Sequence, residues 1–111
     1  MTRMFFPAIA VELLTGLAMA ACPNLVAWLL LGQDATPAGA GAARIAGVAL
    51  IGFAIACWRW SEPVGRRAMW LLQPLVAVPL VGVALFTALG GPLLWPAILY
   101  HAAATIVLAR R

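Results

Sequence analysis

Three polar side chains interrupt apolar segments of this sequence, and they are its strongest candidates for chemistry. They are a carboxylate, an amide and an imidazole, at Glu12, Gln73 and His101. Burying such groups costs free energy unless they are paired, and ionisable residues inside membrane segments are commonly functional. A carboxylate beside an imidazole can exchange a proton or bind the polar end of a ligand. The other interpretation is that the three side chains only hold helices together, at about 1 kcal/mol per hydrogen bond.

The composition indicates that lipid is the solvent around these segments. Of the 111 residues, 66% are hydrophobic and 9% are charged, and the mean hydropathy is +1.06. A chain of this length cannot bury so much apolar surface in its own core. All seven basic residues are arginine, but they form no basic stripe on a polar surface, so nucleic-acid binding is not predicted. We therefore expect an all-α integral membrane protein.

Four segments are apolar and long enough, or nearly so, to cross a bilayer as helices, which takes roughly 20 residues each. They are rich in alanine and leucine and lack the alternation that is typical of strands. The sequence predicts a single membrane domain over 1–111, in which four transmembrane helices form a small up-down bundle. The predicted spans are about 5–21, with a possible short helix at 25–31 that Asn24 would cap, then 42–58, 68–89 and 92–109. The short helix would either prolong the first span beyond a kink or lie at the membrane surface.

The arginines predict the orientation of this bundle. With four spans, both termini and the middle loop lie on one side, and that side carries every arginine except Arg44. Cytoplasmic loops of membrane proteins carry an excess of positive charge. We therefore expect a multi-pass protein of the cell inner membrane with both termini in the cytoplasm.

This threading brings the three polar side chains to a common depth. At a rise of 1.5 Å per residue, Glu12, Gln73 and His101 lie about 10, 9 and 13 Å from the cytoplasmic ends of their helices. Thr15 and Thr105 follow one turn later along the first and fourth helices. The sequence predicts one polar layer made by three helices, with a hydrogen bond from Glu12 to Gln73 or to His101.

Arg44 lies on the opposite side of the predicted membrane and needs acceptors for its guanidinium group. The candidates are Asp34 in the predicted loop 33–41, the carbonyls that end the helix at 25–31, and lipid phosphates. We expect Arg44 and Asp34 to hold this loop in place or to contact lipid.

No other pattern in the sequence predicts chemistry. Clusters with metal-ligand spacing, a serine–histidine–acid set and a phosphate-binding glycine loop are all missing, so no metal, cofactor or enzymatic activity is predicted. A haem would need a second axial ligand beside the single histidine. The N-terminus up to Cys22 has some features of a lipoprotein signal, but Glu12 interrupts its apolar run, so we expect no processing. Cys22 and Cys57 fall near opposite faces of the membrane, where a disulfide between them is geometrically implausible.

Two family resemblances accompany these patterns. Much of the chain resembles a group of small four-helix bacterial inner-membrane proteins, through the stretches VELLTGLAMAACPNLVAWLLLG, ARIAGVALIGFAIACW and LLWPAILYHAAA. This resemblance implies a fold and a membrane location but no activity. The stretch AIAVELLTG is similar to the first helix of the small multidrug resistance transporters, which carry one essential glutamate there. The second resemblance implies that Glu12 binds protons and substrate.

Two hypotheses for the function follow. The first is a non-catalytic accessory or structural subunit that packs against a larger membrane complex, or against copies of itself, because the chain is small and has short loops. The alternative is a small proton-coupled transporter, or a protein that binds lipid or another hydrophobic ligand, using Glu12, Gln73 and His101. The hypotheses differ in whether this polar layer faces a cavity or packed protein.

Overall fold

The computed structural model describes residues 5–60 and 62–110, and an all-helical fold is confirmed in this part of the chain. Two of the arginines used to predict orientation, Arg3 and Arg111, lie outside the described residues. The described residues form five helices, which are α1 Phe5–Ala21, α2 Pro23–Leu31, α3 Pro37–Trp60, α4 Val64–Phe86 and α5 Leu94–Ala109.

Helix α3 begins within the segment 33–41 that was predicted to be a loop. The hydroxyl of Thr36 accepts a hydrogen bond from the backbone N–H of Gly39 at 3.0 Å, as expected of a residue that caps a helix. Pro37 then occupies the first helical position, where its missing N–H costs nothing. Smaller shifts occur elsewhere, since α4 begins and ends a few residues earlier than predicted and α5 begins two residues later.

A sharp break separates α1 from α2. Cys22 leaves the helical conformation with φ −133° and ψ 64°, and Pro23 becomes the first residue of α2. The prediction that Asn24 caps this helix was wrong, because the proline itself suits the first helical position. The axes of the two helices differ by 114°, so α2 turns away and does not prolong α1.

The far end of α2 is attached to the loop between α4 and α5 through backbone atoms. The N–H groups of Gly90, Gly91 and Leu93 donate to the carbonyls of the last three residues of α2, at 3.0, 3.0 and 2.8 Å. These carbonyls have no partner within their own helix, so the loop satisfies them. A side chain at Gly91 would collide with the carbonyls of α2. Gly32 ends the helix in the left-handed conformation, with φ 76°, which glycine adopts without steric cost.

The long helices associate as two pairs, α1 with α3 and α4 with α5, and α3 also contacts α4. The first pair is closest at Gly16 and Gly47, where a Cβ atom on either residue would meet the backbone carbonyl of the other. Such small residues allow the backbones of two membrane helices to approach each other. Gly52, about one and a half turns further along α3, faces open space instead.

The packed core occupies one end of the bundle. It combines the first residues of α1 and α4 with the last residues of α3 and α5, so consecutive long helices run antiparallel. Its buried members are Phe5, Ala8, Ile9, Ala54, Cys57, Met69 and Leu108. Towards the other end, where α2 lies, this core gives way to a cavity.

Two helices, α3 and α4, are long and apolar enough to cross a membrane, with mean hydropathies of 1.9 and 2.0 over their best windows. A third span results if the bent pair α1 and α2 counts as one. Helix α5 has 16 residues and is about 24 Å long, slightly shorter than a hydrocarbon core of about 30 Å. Large apolar side chains cover the outside of the bundle, among them Phe86, Ile45 and Val78, which are 85%, 75% and 69% exposed. This surface is suited to lipid.

Candidate functional site

The structure brings Glu12, Gln73 and His101 together from three different helices. All three are buried, with 1%, 0% and 8% of their surfaces exposed. Gln73 lies between the other two, since its Nε2 is 3.4 Å from Glu12 Oε1 and its Oε1 is 2.7 Å from His101 Nδ1. The direct distance from His101 Nδ1 to Glu12 Oε1 is 3.8 Å. The predicted bond from Glu12 to Gln73 is present, and Gln73 connects the acid with the imidazole.

A backbone carbonyl on the same helix determines the orientation of the Gln73 amide. Nε2 of Gln73 lies 3.2 Å from the carbonyl oxygen of Met69, one turn earlier in α4, and 3.3 Å from the Met69 sulfur. Since a carbonyl only accepts hydrogen bonds, the amide group facing it has to be the NH2 group. The amide oxygen then faces His101. Both hydrogens and the oxygen of the Gln73 amide thus have partners.

A cavity of about 810 Å³ lies between the two helix pairs, next to this polar cluster. Its walls come from all five helices and are mostly apolar. Glu12 and His101 line one end of the cavity, and their neighbours along it include Val26, Leu30, Leu50, Leu75, Leu80 and Pro96. The cavity therefore has a polar end beside the packed core and an apolar body that extends towards α2. Such a shape suits a largely apolar molecule with one polar group.

Tyr100 also lines the cavity, and sequence reasoning missed it. Its ring meets the His101 ring edge to face, with centroids 5.1 Å apart and an interplanar angle of 77°. Its hydroxyl is buried and has no hydrogen-bond partner in the described part of the chain. The signal in the sequence was a phenol directly beside the only histidine, within an apolar segment. Buried tyrosine hydroxyls usually find a partner, so this one has an unused donor.

The two threonines predicted near the layer do not join the cluster. The Thr15 hydroxyl donates to the Val11 carbonyl at 2.8 Å, and the Thr105 hydroxyl donates to the His101 carbonyl at 2.7 Å. Each bond reaches one turn back along its own helix, a common arrangement for threonine within helices. Thr15 still lines the cavity, whereas Thr105 has only this local contact among the hydrogen bonds of the described residues.

Arg44 has a different partner from the predicted ones. Its Nη1 donates to the carbonyl oxygen of Ala20 at 2.6 Å, and the described residues contain no ion pair between Arg44 and Asp34. Because Pro23 breaks the chain away from α1, the last carbonyls of that helix lack donors, and their partial negative charge attracts a cation. Arg44 therefore ties α3 to the end of α1, and Asp34 is exposed.

A similar contact, which the sequence did not predict, joins α4 to α5 at the arginine-rich end. Arg66 Nη1 donates to the carbonyl oxygens of Leu108 and Arg110, at 2.7 and 3.2 Å. Arg66 Nε also lies 3.6 Å from a carboxylate oxygen of Glu62, one turn earlier. This arginine satisfies the last carbonyls of α5 and has a structural role.

The remaining candidates for chemistry are isolated from one another. Both cysteines are free thiols, with Cys22 exposed and Cys57 buried in the core. Within residues 5–60 and 62–110, no three His, Cys, Asp or Glu side chains lie close enough to hold a metal ion. Comparisons with protein-family models, curated proteins and solved structures found no match for this chain.

Proposed function

We propose that this protein binds a hydrophobic small molecule within the membrane, in the cavity between its two helix pairs. The observation that carries the proposal is that Glu12 and His101 line one end of an apolar cavity of about 810 Å³. Pockets that hold small molecules span about 300–1,000 Å³ and combine apolar walls with a few convergent polar groups. The site belongs to this class in both size and lining, and the proposed activity is non-enzymatic.

A purely structural role explains only part of the cluster. Gln73 fits that role, because its amide is fully hydrogen-bonded and completely buried. The unpartnered hydroxyl of Tyr100 does not fit it. The cavity next to Glu12 and His101 does not fit it either, because side chains that only hold helices together would be surrounded by packed protein. A bound ligand would occupy this cavity.

The proposal can be tested by filling the cavity from one wall. Ala97 lines the cavity, whereas Ala103, on the same helix, is exposed on the outside of the bundle. We expect wild-type protein and Ala103→Phe, purified in mild detergent, to retain the same organic-soluble compound in near-stoichiometric amounts by mass spectrometry. Ala97→Phe should lose most of it, because the phenyl ring occupies the binding volume.

Equal retention by the two phenylalanine variants would contradict the proposal. The accessory-subunit hypothesis predicts a different result from the same purification. In that case stoichiometric protein subunits would accompany all three forms, and no defined small molecule would depend on Ala97.

The proposed site implies a membrane topology with four crossings, by α1, α3, α4 and α5. Helices α1 and α5 are short for a span, but each packs along a longer partner, α3 and α4 respectively. The bond from Arg66 to the end of α5 supports a single arginine-rich end of the bundle. We propose that the protein lies in the cell inner membrane with this end facing the cytoplasm, because cytoplasmic loops carry an excess of positive charge.

This topology predicts which residues react from outside the cell. In a background without Cys22 and Cys57, a membrane-impermeant maleimide should label Asp34→Cys in intact cells and should label Arg110→Cys only after lysis. The reverse pattern would overturn the proposed orientation, and labelling of both positions in intact cells would overturn the four-span topology.

A further inference from the structure

We propose that the ligand of this cavity presents a hydroxyl group to His101, and that the site rejects the corresponding ether. This inference rests on the proposed binding function and names the chemical class of its ligand. It follows from hydrogen-bond polarity along a chain of groups that starts at a backbone carbonyl.

The series of hydrogen-bonded groups starts at Met69, whose backbone carbonyl can only accept a hydrogen bond. It lies 3.2 Å from Gln73 Nε2, so the amide nitrogen points to it and the amide oxygen points away. That oxygen lies 2.7 Å from His101 Nδ1. Because an amide oxygen is an acceptor, Nδ1 has to carry the hydrogen of this bond.

The tautomer of His101 follows from this bond. A neutral imidazole has one N–H donor and one acceptor nitrogen, and the bond made by one nitrogen determines the role of the other. In the neutral ring, with Nδ1–H donating to Gln73, Nε2 of His101 has no hydrogen and can only accept. Within the described residues Nε2 has no partner, and the side chain lines the cavity. The polar end of the cavity therefore presents an acceptor to the ligand.

The two kinds of oxygen differ at His101 Nε2. A hydroxyl on the ligand can donate to this nitrogen. An ether or ester oxygen has no hydrogen to donate, so it leaves His101 Nε2 facing another acceptor. Pairing two acceptors in a buried site costs affinity, so the site selects the alcohol.

The single histidine allows a direct test by nuclear magnetic resonance. Protein labelled with 15N only in the histidine side chain should give two signals in detergent micelles, a pyrrole-type Nδ1 and a pyridine-type Nε2. Adding 1-hexadecanol should shift the Nε2 signal, and adding hexadecyl methyl ether should leave it unchanged. A pyrrole-type Nε2 signal would overturn the inference without any need for a variant.

Binding measurements separate this inference from the proposed function. Tritiated 1-hexadecanol should bind the wild type, and hexadecyl methyl ether should compete about tenfold or more less effectively, because one buried group is left unpaired. Gln73→Met removes the amide that sets the tautomer and should reduce this discrimination, whereas Leu71→Met, at an exposed position of α4, should retain it. The two probes partition differently into micelles, but this difference cancels when the ratio of their apparent affinities is compared between the variants and the wild type.

The unfavourable outcomes of these binding measurements distinguish failure of the proposed function from failure of the hydroxyl inference. If Ala97→Phe does not reduce the binding of either probe, the proposed function is wrong. If both bind the wild type equally, the cavity binds ligands but the hydroxyl inference is wrong. If Gln73→Met keeps the full preference for the alcohol, Gln73 does not set the polarity of the site and the inference is again wrong.

Discussion

Replacing Gln73 with leucine should destabilise the bundle by about 2–6 kcal/mol. The substitution removes two hydrogen bonds between helices, to Glu12 at 3.4 Å and to His101 at 2.7 Å. Bonds of this kind contribute about 0.6–1.7 kcal/mol each in membrane bundles. A comparable further loss arises because a carboxylate oxygen and an imidazole N–H stay buried without partners, which adds about 1–3 kcal/mol in total.

The free energy of unfolding can be measured by titrating the detergent-solubilised protein with sodium dodecyl sulfate and following helix content by circular dichroism. Leu71→Met is the matched control on the same helix, and it should stay within about 0.5 kcal/mol of the wild type because its side chain is exposed. In a double-mutant cycle with Glu12→Leu, the losses should not add, since the second substitution removes a bond that is already broken. A Gln73→Leu protein as stable as the wild type, or strictly additive losses, would refute the hydrogen-bonded cluster.

Three further substitutions test how the helices are joined. Gly47→Ala should destabilise the protein by more than about 1 kcal/mol, because the added methyl group meets the backbone of α1. Gly52→Ala is the control, because its methyl group faces open space, and it should be neutral or stabilising by up to about 1 kcal/mol. Thermal melts in detergent would show the difference, and equal effects would contradict the close approach of α1 and α3. Arg44→Met should lower stability by about 1–3 kcal/mol, because the carbonyl that ends α1 loses its charged donor, and an unchanged melting temperature would show that water replaces the arginine. Arg66→Gln should increase amide hydrogen exchange over the last turn of α5, whose carbonyls it satisfies, with no change in exchange within α2; a uniform increase would instead indicate a global loss of stability.

The polar cluster could be predicted because each of its residues lies in a different apolar segment. A constant rise per residue converts the position of Glu12, Gln73 or His101 in its segment into a depth. The three similar depths in the membrane then predict that the side chains are in contact, provided that the helices turn them inwards. The polar groups themselves favour that rotation, since turning them towards lipid costs free energy.

The cavity could not be predicted in this way. Its walls depend on which apolar faces pair, and in a chain of this composition nearly every face is apolar. Local signals were also missed at two positions. Thr36 followed by Pro37 is a helix start, but the glycines after it suggested a loop. Tyr100 was overlooked because tyrosine is common at membrane interfaces without a specific role.

The partner of Arg44 was missed for a related reason. The predicted late start of α3 placed this arginine at a helix end near Asp34, whereas in the structure it lies two turns inside the helix. From there it reaches the end of α1, which the break at Pro23 leaves without donors. An error of a few residues in a helix boundary was enough to change the expected contact.

The attachment of α2 to the loop between α4 and α5 has a consequence for how this fold can vary in evolution. The three bonds that make it join backbone to backbone, so they place no demand on side-chain identity along α2. The demand falls on the glycines, because Gly32 adopts a positive φ and Gly91 lies against the carbonyls of α2. Divergent chains with this architecture should therefore exchange apolar residues readily on the face of α2 that is turned away from the cavity, while each of the two glycines is retained for its own reason.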